Sequence, residues 1–195
     1  MAYIAKTAFE ARITNNEFEE LAQIAGKYQE SDVDEVCSAG ILCVRGEQLD
    51  CEGFTGVKNE NSWVMNAASS SVTADDVIYA CDTHDVNIVV DPINGAQYAM
   101  GTNTLGLPAP KGRICNFCRI DFDGQSVYRF GEGNIDGTVG TNTFFTIDDG
   151  LLVPDDEAPA TAGSVYFELR GSGKFIEGTS ESFGYYDVVA KKVTA

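Results

Sequence analysis

Residues 117–151 read FCRIDFDGQSVYRFGEGNIDGTVGTNTFFTIDDGL, and this stretch decides the fold. Three Asp-Gly pairs divide it, at 123–124, 136–137 and 149–150. Asp-Gly between two apolar runs indicates a hairpin, because both residues accept the positive φ angles of a tight turn. The runs themselves are rich in aromatic and β-branched residues, which favour strands. We therefore predict a β meander or sandwich in this half of the chain.

The same pattern of short apolar runs between turn-forming residues continues on both sides of this stretch. Downstream, the runs SVYFEL, KFIE and YYDVVAKKV predict strands, with the Gly-rich segment 170–174 as a hairpin between the first two. Upstream, short β-like runs lie between Gly, Asp and Asn residues: EVCSA, ILCVR, SWVMNA, VIYAC, VNIVV and AQYAM. The fold class is therefore mainly β, an antiparallel sandwich or barrel-like arrangement.

The first 30 residues predict two different elements. Residues 3–13 alternate between apolar and polar side chains, which is typical of a strand or an extended arm. Asn16 and Glu19 then have the spacing of a helix capping box, and an apolar stripe follows over residues 18–25. We predict a helix over residues 17–25, ended by Gly26.

The chain divides into three regions on this basis. Residues 1–30 hold the N-terminal arm and helix, residues 31–110 form a β-rich region, and residues 111–195 form an antiparallel β region. The Gly-, Pro- and Thr-rich stretch at 101–113 is the weak boundary between the last two. All three regions can pack as one compact domain.

Charge and hydropathy exclude some classes of binding partner. The chain has 30 acidic and 13 basic residues, a net charge of −17. Such a chain lacks the clustered Lys and Arg that bind phosphate backbones, so we expect no nucleic-acid partner. The longest aliphatic run, Ile88–Val90, is far too short for a membrane helix, and residues 1–12 lack a secretory apolar region. We expect no membrane partner and a chain that folds in a cytoplasm.

No motif in the sequence indicates catalysis. The single histidine, His84, lies between Asp82 and Asp85, without a nucleophile elbow elsewhere that would complete a triad. The segment RGSGK at 170–174 lacks the upstream glycine and the Lys-Ser/Thr pair of a phosphate loop. We therefore expect no enzymatic activity and no cofactor.

The sequence also predicts no bound metal. Six cysteines in an intracellular chain are typical of buried thiols, and the lone Cys115/Cys118 pair lacks the second pair of a zinc site. The acidic clusters at 32–35 and 121–123 lack the remaining ligands of a calcium loop. Whether Cys115 and Cys118 or these clusters bind a metal stays open. We expect neither EDTA nor mild reductant to change the melting temperature.

Adjacent aromatic residues indicate a binding surface. Neighbouring rings in a strand point to opposite faces, so one ring of each pair either meets solvent or contacts something beyond the strand's own core. Exposed aromatics are frequent interface anchors. An alternating N-terminal arm can add a strand to a neighbour's sheet edge, so deleting residues 1–14 should leave a folded protein that no longer binds. The predicted partner-contact residues are Tyr3, Phe9, Ile13, Phe144, Phe145, Tyr185 and Tyr186.

Four phrases carry a family resemblance: MAYIAKTAFEARITNNEFEELAQIAG from residue 1, HDVNIVVDPINGAQYAMGTNTLGLPAPKGR from 84, FTIDDGLLVP from 145 and YYDVVAKKV from 185. With its overall layout, the chain resembles the capsid decoration proteins of tailed bacteriophages. The resemblance implies a non-enzymatic virion protein, assembled in the host cytoplasm. It would bind the major capsid protein in many copies on the outside of an HK97-type shell, often as trimers. The length and the six cysteines depart from that family's pattern.

A second interpretation is a β-sandwich module that binds carbohydrate or protein. Its Tyr rings and Trp63 would form the binding surface, and its acidic loops would hold calcium. Such a module binds glycans and loses binding with a chelator, whereas a decoration protein co-sediments with empty heads.

Overall fold

The computed structural model describes residues 7–13, 23–51, 54–82, 88–90, 97–99, 108–177 and 181–194. Within them the chain is mainly β, as predicted, with a short 3₁₀ turn at Glu132–Asn134. The strands are β1 (Phe9–Ile13), β2 (Gln23–Glu30), β3 (Val33–Asp34), β4 (Leu42–Cys51), β5 (Phe54–Ala67), β6 (Ile78–Cys81), β7 (Ile88–Val90), β8 (Gln97–Ala99), β9 (Ile114–Arg119), β10 (Val127–Gly131), β11 (Phe144–Asp148), β12 (Leu151–Asp155), β13 (Val165–Glu177) and β14 (Glu181–Lys192).

One six-stranded sheet, which we call the open sheet, has the order β1-β10-β14-β13-β11-β12, and every pairing in it is antiparallel. Its β11–β12 hairpin turns at Asp149 and Gly150, whose φ angles are 47° and 74°. A two-residue turn with positive φ at both positions matches the right-handed twist of the flanking strands. The sequence prediction for this Asp-Gly pair is confirmed.

The second sheet, which we call the closed sheet, has the order β3-β2-β5-β4-β6-β9. Strand β9 also pairs with β2, so β2, β5, β4, β6 and β9 form a ring. The β2–β5 pairing is parallel and the other four are antiparallel. Where a strand of the ring pairs with a neighbour on each side, none of its backbone hydrogen-bonding groups is left at a free sheet edge. The interior is narrow: a Cβ at Gly26 in β2 would clash with the side chain of Met65 in β5.

Strand β6 separates two hydrophobic cores. Its four residues are all buried: Ile78 and Ala80 face the open sheet, while Tyr79 and Cys81 face the inside of the ring. Alternating strand residues point to opposite faces, so a strand with apolar residues at every position lies between two layers. We call the two cores the intersheet core and the ring interior. Since β6 belongs to both, the two sheets form one packed body.

The predicted helix over residues 17–25 is wrong at its C-terminal end. Residues 14–22 lie outside the described part of the chain, but Gln23, Ile24 and Ala25 belong to β2. Buried and partly exposed residues alternate along β2 because one face points into the ring interior. The helix prediction is therefore not supported.

The described N-terminal residues form an edge strand of the open sheet in place of a free arm. Strand β1 pairs with β10, and Phe9 is fully buried in the intersheet core. The extended conformation predicted for residues 3–13 is confirmed over Phe9–Ile13. These residues, however, add a strand to the protein's own sheet. Tyr3 lies outside the described residues.

Two predictions of local structure are also wrong. Segment 170–174 is no hairpin, because β13 runs through it from Val165 to Glu177, with a register shift between Leu169 and Gly171. The EVCSA run forms a single β-bridge, between Cys37 and Ala109. Each sheet contains strands from distant parts of the chain. Strand β1 joins the C-terminal strands in the open sheet, and β9 completes the closed sheet.

Candidate functional site

A long hairpin extends from the closed sheet. Strand β5 pairs with β2 over Ser62–Asn66, and β4 pairs with β6 over Leu42–Val44. Within the described residues, the remainder of β4 and β5 pairs with no third strand. We call residues 46–51 and 54–61 the outer hairpin.

One carboxylate connects the two strands near the end of the outer hairpin. The Asp50 side chain accepts a hydrogen bond from the backbone N–H of Gly56 at 3.1 Å and pairs with the Lys58 ammonium at 3.0 Å. These two contacts lower the pKa of Asp50, the bond from Gly56 more than the one from Lys58. Gly56 has a φ of 81°, which L side chains rarely adopt. These contacts hold residues 50–51 and 54–58, which we call the tip, in a defined conformation.

This tip exposes two large apolar side chains. Phe54 is 67% exposed and Val57 is 53% exposed. Next to them lie the charged groups of Asp50 and Lys58. An exposed aromatic residue surrounded by polar groups is the usual composition of an interface anchor with its rim. Such a tip can bind a partner by inserting Phe54 into an apolar pocket.

The predicted contact residues Phe144 and Phe145 separate as the strand pattern requires. Phe145 is fully buried in the intersheet core. Phe144 points to the other face, where its ring packs edge-on against Tyr166, with centroids 6.1 Å apart. The outward ring thus contacts a neighbouring strand of the same sheet.

Tyr185 and Tyr186 separate in the same way. Tyr186 packs against the intersheet core, with its ring 6.3 Å from that of Phe145. The Arg129 guanidinium lies 3.7 Å from the centroid of the Tyr185 ring. Both tyrosines are half-buried.

The predicted contact residues whose side chains the structure describes do not form one binding surface. Phe9 and Phe145 are core residues, and Phe144, Tyr185 and Tyr186 pack on their own sheet. Ile13 lies in β1, with its side chain outside the described set. Phe54 and Val57 were not among the contact residues predicted from the sequence. The signal for them is the phrase CEGFTGVKN at 51–59, where Phe54 and Val57 lie among glycines and charges without strand alternation.

Three cysteines meet inside the ring. The Sγ atoms of Cys37, Cys81 and Cys115 all lie within 4.8 Å of one another, and all three residues are buried. Hydrogen bonding with Cys115 and Cys81, together with burial, raises the pKa of Cys37 far above its usual value. Cys37 is therefore a neutral thiol at physiological pH. We call Cys37, Cys81 and Cys115 the thiol cluster.

The CxxC pair does not act as a unit. Cys115 lies in the ring interior, whereas Cys118 lies in the intersheet core. Residues three apart in a strand point to opposite faces, so their two sulfurs cannot share one ion. Burial raises the pKa of Cys118 to about 11. The cluster uses one cysteine of the motif with two cysteines that are distant in sequence.

The acidic clusters have local structural roles. Asp123 accepts hydrogen bonds from the backbone N–H groups of Gln125 and Ser126, both at 2.8 Å, and thereby fixes the turn before β10. Asp34 accepts from the Gln29 amide at 2.7 Å and from Lys27 at 3.1 Å, and these bonds lower its pKa. Asp123 thus binds its own turn, and Asp34 binds side chains of the neighbouring strand β2. His84 lies outside the described residues.

An open cleft of about 810 Å³ lies between segments 74–77, 119–124 and 191–194. Its charged groups also bind neighbouring residues of the same chain. Asp76 accepts from the Thr73 backbone N–H at 2.8 Å, and Lys191 pairs with Glu168. These contacts stabilise the walls of the cleft.

In the described part of the chain, no helix has the length and apolar character needed to cross a membrane. No protein-family model, no curated protein and no solved structure matches this chain.

Proposed function

We propose that this chain is a non-enzymatic structural protein that binds in many copies to the outside of a tailed-phage capsid of the HK97 type and stabilises the shell. The observation that supports this proposal is the outer hairpin, which presents Phe54 and Val57 to solvent at the end of a packed β body. The sequence resemblance supplies the capsid as the partner.

The body gives the hairpin a rigid base. Strand β5 continues from the hairpin into the ring and pairs there with β2 and β4. The Arg45 guanidinium lies 4.3 Å from the centroid of the Trp63 ring, close to the point where the hairpin leaves the ring. Contacts that restrain a binding segment before it meets its partner reduce the conformational entropy lost on contact, which favours affinity.

The energetics suit assembly in many copies. Burying one Phe side chain contributes about 1.5 to 3 kcal/mol, so a single tip gives a weak contact. Copies joined in an oligomer, for which a trimer is favoured by the resemblance, raise one another's effective concentration on the shell. The net charge of −17 keeps free copies soluble and suits the exterior of the particle, away from the packaged DNA.

Phe54→Ala tests the proposal directly. We expect the purified full chain to co-sediment with empty heads of the phage that encodes it, and the variant to bind about tenfold or more weakly, because the anchor is lost. The matched control is Val77→Ala, another exposed apolar residue, 43% exposed and outside the hairpin, which should bind like the wild type.

Three outcomes would contradict the proposal. The wild type could fail to sediment with the heads, or Phe54→Ala could bind as tightly as Val77→Ala. The chain could also fail to bind the heads and instead bind a glycan in a way that EDTA abolishes. That result would favour the carbohydrate-binding interpretation.

A further inference from the structure

The thiol cluster is assembled from three separate parts of the chain. Cys37 forms a β-bridge with Ala109, with N···O distances of 3.1 and 2.7 Å. Cys81 ends β6, where its backbone N–H donates to the carbonyl of Ile41 at 3.0 Å. Cys115 lies in β9 opposite Gly26 of β2. Each backbone is fixed by ladder or bridge hydrogen bonds, so the fold itself holds the three sulfurs together.

The spacing of the sulfurs is close to that of a metal–thiolate centre. A Zn–S bond is about 2.3 Å long, which places two ligand sulfurs about 3.8 Å apart in a tetrahedral site and about 4.0 Å apart in a trigonal one. The sulfurs of the thiol cluster lie within 4.8 Å of one another. Side-chain movements of less than about 1 Å would bring all three to bonding distance.

The donor set determines which ions fit. Three sulfur ligands select soft, thiophilic ions such as Zn²⁺ over Mg²⁺ or Ca²⁺, which prefer oxygen ligands. Each thiol loses its proton to solvent as its bond to the metal forms, so three thiolates and one Zn²⁺ leave a net charge of −1 in the ring. Among the described residues, no other group of three Cys, His, Asp or Glu side chains has such an arrangement.

We propose that Cys37, Cys81 and Cys115 form a binding site for one thiophilic divalent ion of the zinc group, enclosed in the ring interior. Cys43 is the candidate for a fourth ligand, because it belongs to the same core. The inference is independent of the capsid role and replaces the sequence-based expectation that the chain binds no metal. Since the cluster is enclosed, the ion enters while the chain folds.

The test uses Cd²⁺, whose thiolate complexes absorb in the ultraviolet. The full chain is unfolded in urea, kept reduced with a thiol-free reductant, and refolded with increasing Cd²⁺. We expect a sulfur-to-metal charge-transfer band that saturates at one ion per chain. We also expect a melting temperature about 5 to 10 °C higher when free Cd²⁺ is 100 times the dissociation constant.

Two variants in the same strand separate this site from general thiol chemistry. Cys115→Ala should weaken Cd²⁺ binding at least tenfold, because a ligand is lost. Cys118→Ala removes another buried thiol three residues away, in the other core, and should keep the wild-type band and stoichiometry. Far-ultraviolet circular dichroism verifies that both variants fold.

Cadmium NMR of the wild type gives a readout that needs no variant, because its chemical shift distinguishes several sulfur ligands from oxygen ligands. A single resonance in the multi-thiolate range supports the site. A shift in the oxygen range, the lack of a saturating charge-transfer band, or equal Cd²⁺ affinity in Cys115→Ala and the wild type would each mean that the cysteines are packed thiols, and would overturn the inference.

Discussion

Asn134 is the buried polar residue that joins the two sheets. Its side-chain oxygen accepts hydrogen bonds from the backbone N–H groups of Ala8 and Gly131, at 3.0 and 3.2 Å. Its amide donates to the carbonyl of Ala39 at 2.7 Å. The three bonds connect the residue before β1, the end of β10 and the segment before β4. Buried polar groups satisfied in this way specify one arrangement of the elements that they join.

The Glu168 carboxylate gives a pH dependence at the residue scale. Lys191 donates to it and Arg170 lies 3.6 Å away, and mainly the bond from Lys191 lowers the pKa of Glu168. Its pKa is therefore lower in the folded state than in the unfolded state. The resulting stabilisation is present above the unfolded pKa, about 4.3, and is lost as the pH falls through the folded pKa.

We therefore expect Glu168→Gln to lower the free energy of unfolding at pH 7 and to have a smaller effect at pH 3. Urea denaturation at pH 7, 5 and 3 measures the difference from wild type. Glu157→Gln, which removes the same charge from an exposed loop residue, controls for the change in net charge. A loss in Glu168→Gln that stays constant from pH 7 to pH 3 would contradict the assignment.

At this scale the sequence predicts contacts between neighbours and misses those between distant residues. The Asp149-Gly150 turn was predictable because both residues of the turn are adjacent. The same holds for the inward and outward rings of Phe144 and Phe145. Asn134 reaches Ala8 and Ala39, which are 126 and 95 residues away, and no local pattern indicates such a contact. The thiol cluster was missed for the same reason.

At the scale of elements, β2 shows how periodicity can mislead. Residues 18–25 match a helical apolar stripe, but in β2 the buried residues from Ile24 onward follow a period of two. Its conformation is set by two partners, β5 on one side and β9 on the other. Local propensity is a weak prior that such tertiary pairing overrides. The β11–β12 hairpin, whose strands are adjacent in sequence, was predictable from the Asp149-Gly150 pair. The hairpin predicted at 123–124 is wrong, because β9 and β10 lie in different sheets, and β10 and β11 are not neighbours in the open sheet.

Strand β1 is expected to stabilise the fold, and Phe9→Ala measures its contribution. The Phe9 ring packs on Tyr128 and Phe130, with centroids 6.0 and 5.3 Å away, and is fully buried. We expect the variant to lose about 3 to 5 kcal/mol of unfolding free energy, because truncation leaves a cavity. Denaturant midpoints measured by fluorescence or circular dichroism give the value.

Phe54→Ala is the matched control, since it makes the same change at an exposed position and should alter stability by about 0.5 kcal/mol or less. Equal losses in the two variants would mean that β1 does not pack as described. The Phe9 result also bears on the deletion of residues 1–14, which should destabilise the chain and not merely abolish binding.

At the scale of the molecule, the mainly β class could be predicted from the short apolar runs and the glycines that separate them. The ring could not, because its closure depends on the pairing of β2 with β9, which are about ninety residues apart in sequence. Whether two strands so far apart in sequence pair depends on how all the strands pack together. The alternation of apolar and polar residues indicates a strand but does not identify its partner.

Because β6 belongs to both cores, we expect the two sheets to unfold in one cooperative transition. Calorimetry should give equal calorimetric and van't Hoff enthalpies, and near- and far-ultraviolet circular dichroism should share one midpoint. Two resolved transitions, or Tyr79→Ala affecting only one of them, would show that the sheets are independently stable.

The distance in sequence between β1 and its partner has a consequence for synthesis. Residues 9–13 leave the ribosome long before residues 127–131, with which they pair. At 5 to 20 residues per second, the interval lasts roughly 6 to 24 s. Throughout it, the nascent chain carries Phe9 and other core residues with no completed layer to cover them. Mutual repulsion between acidic chains on one messenger would keep neighbouring polypeptides apart until the last strands emerge.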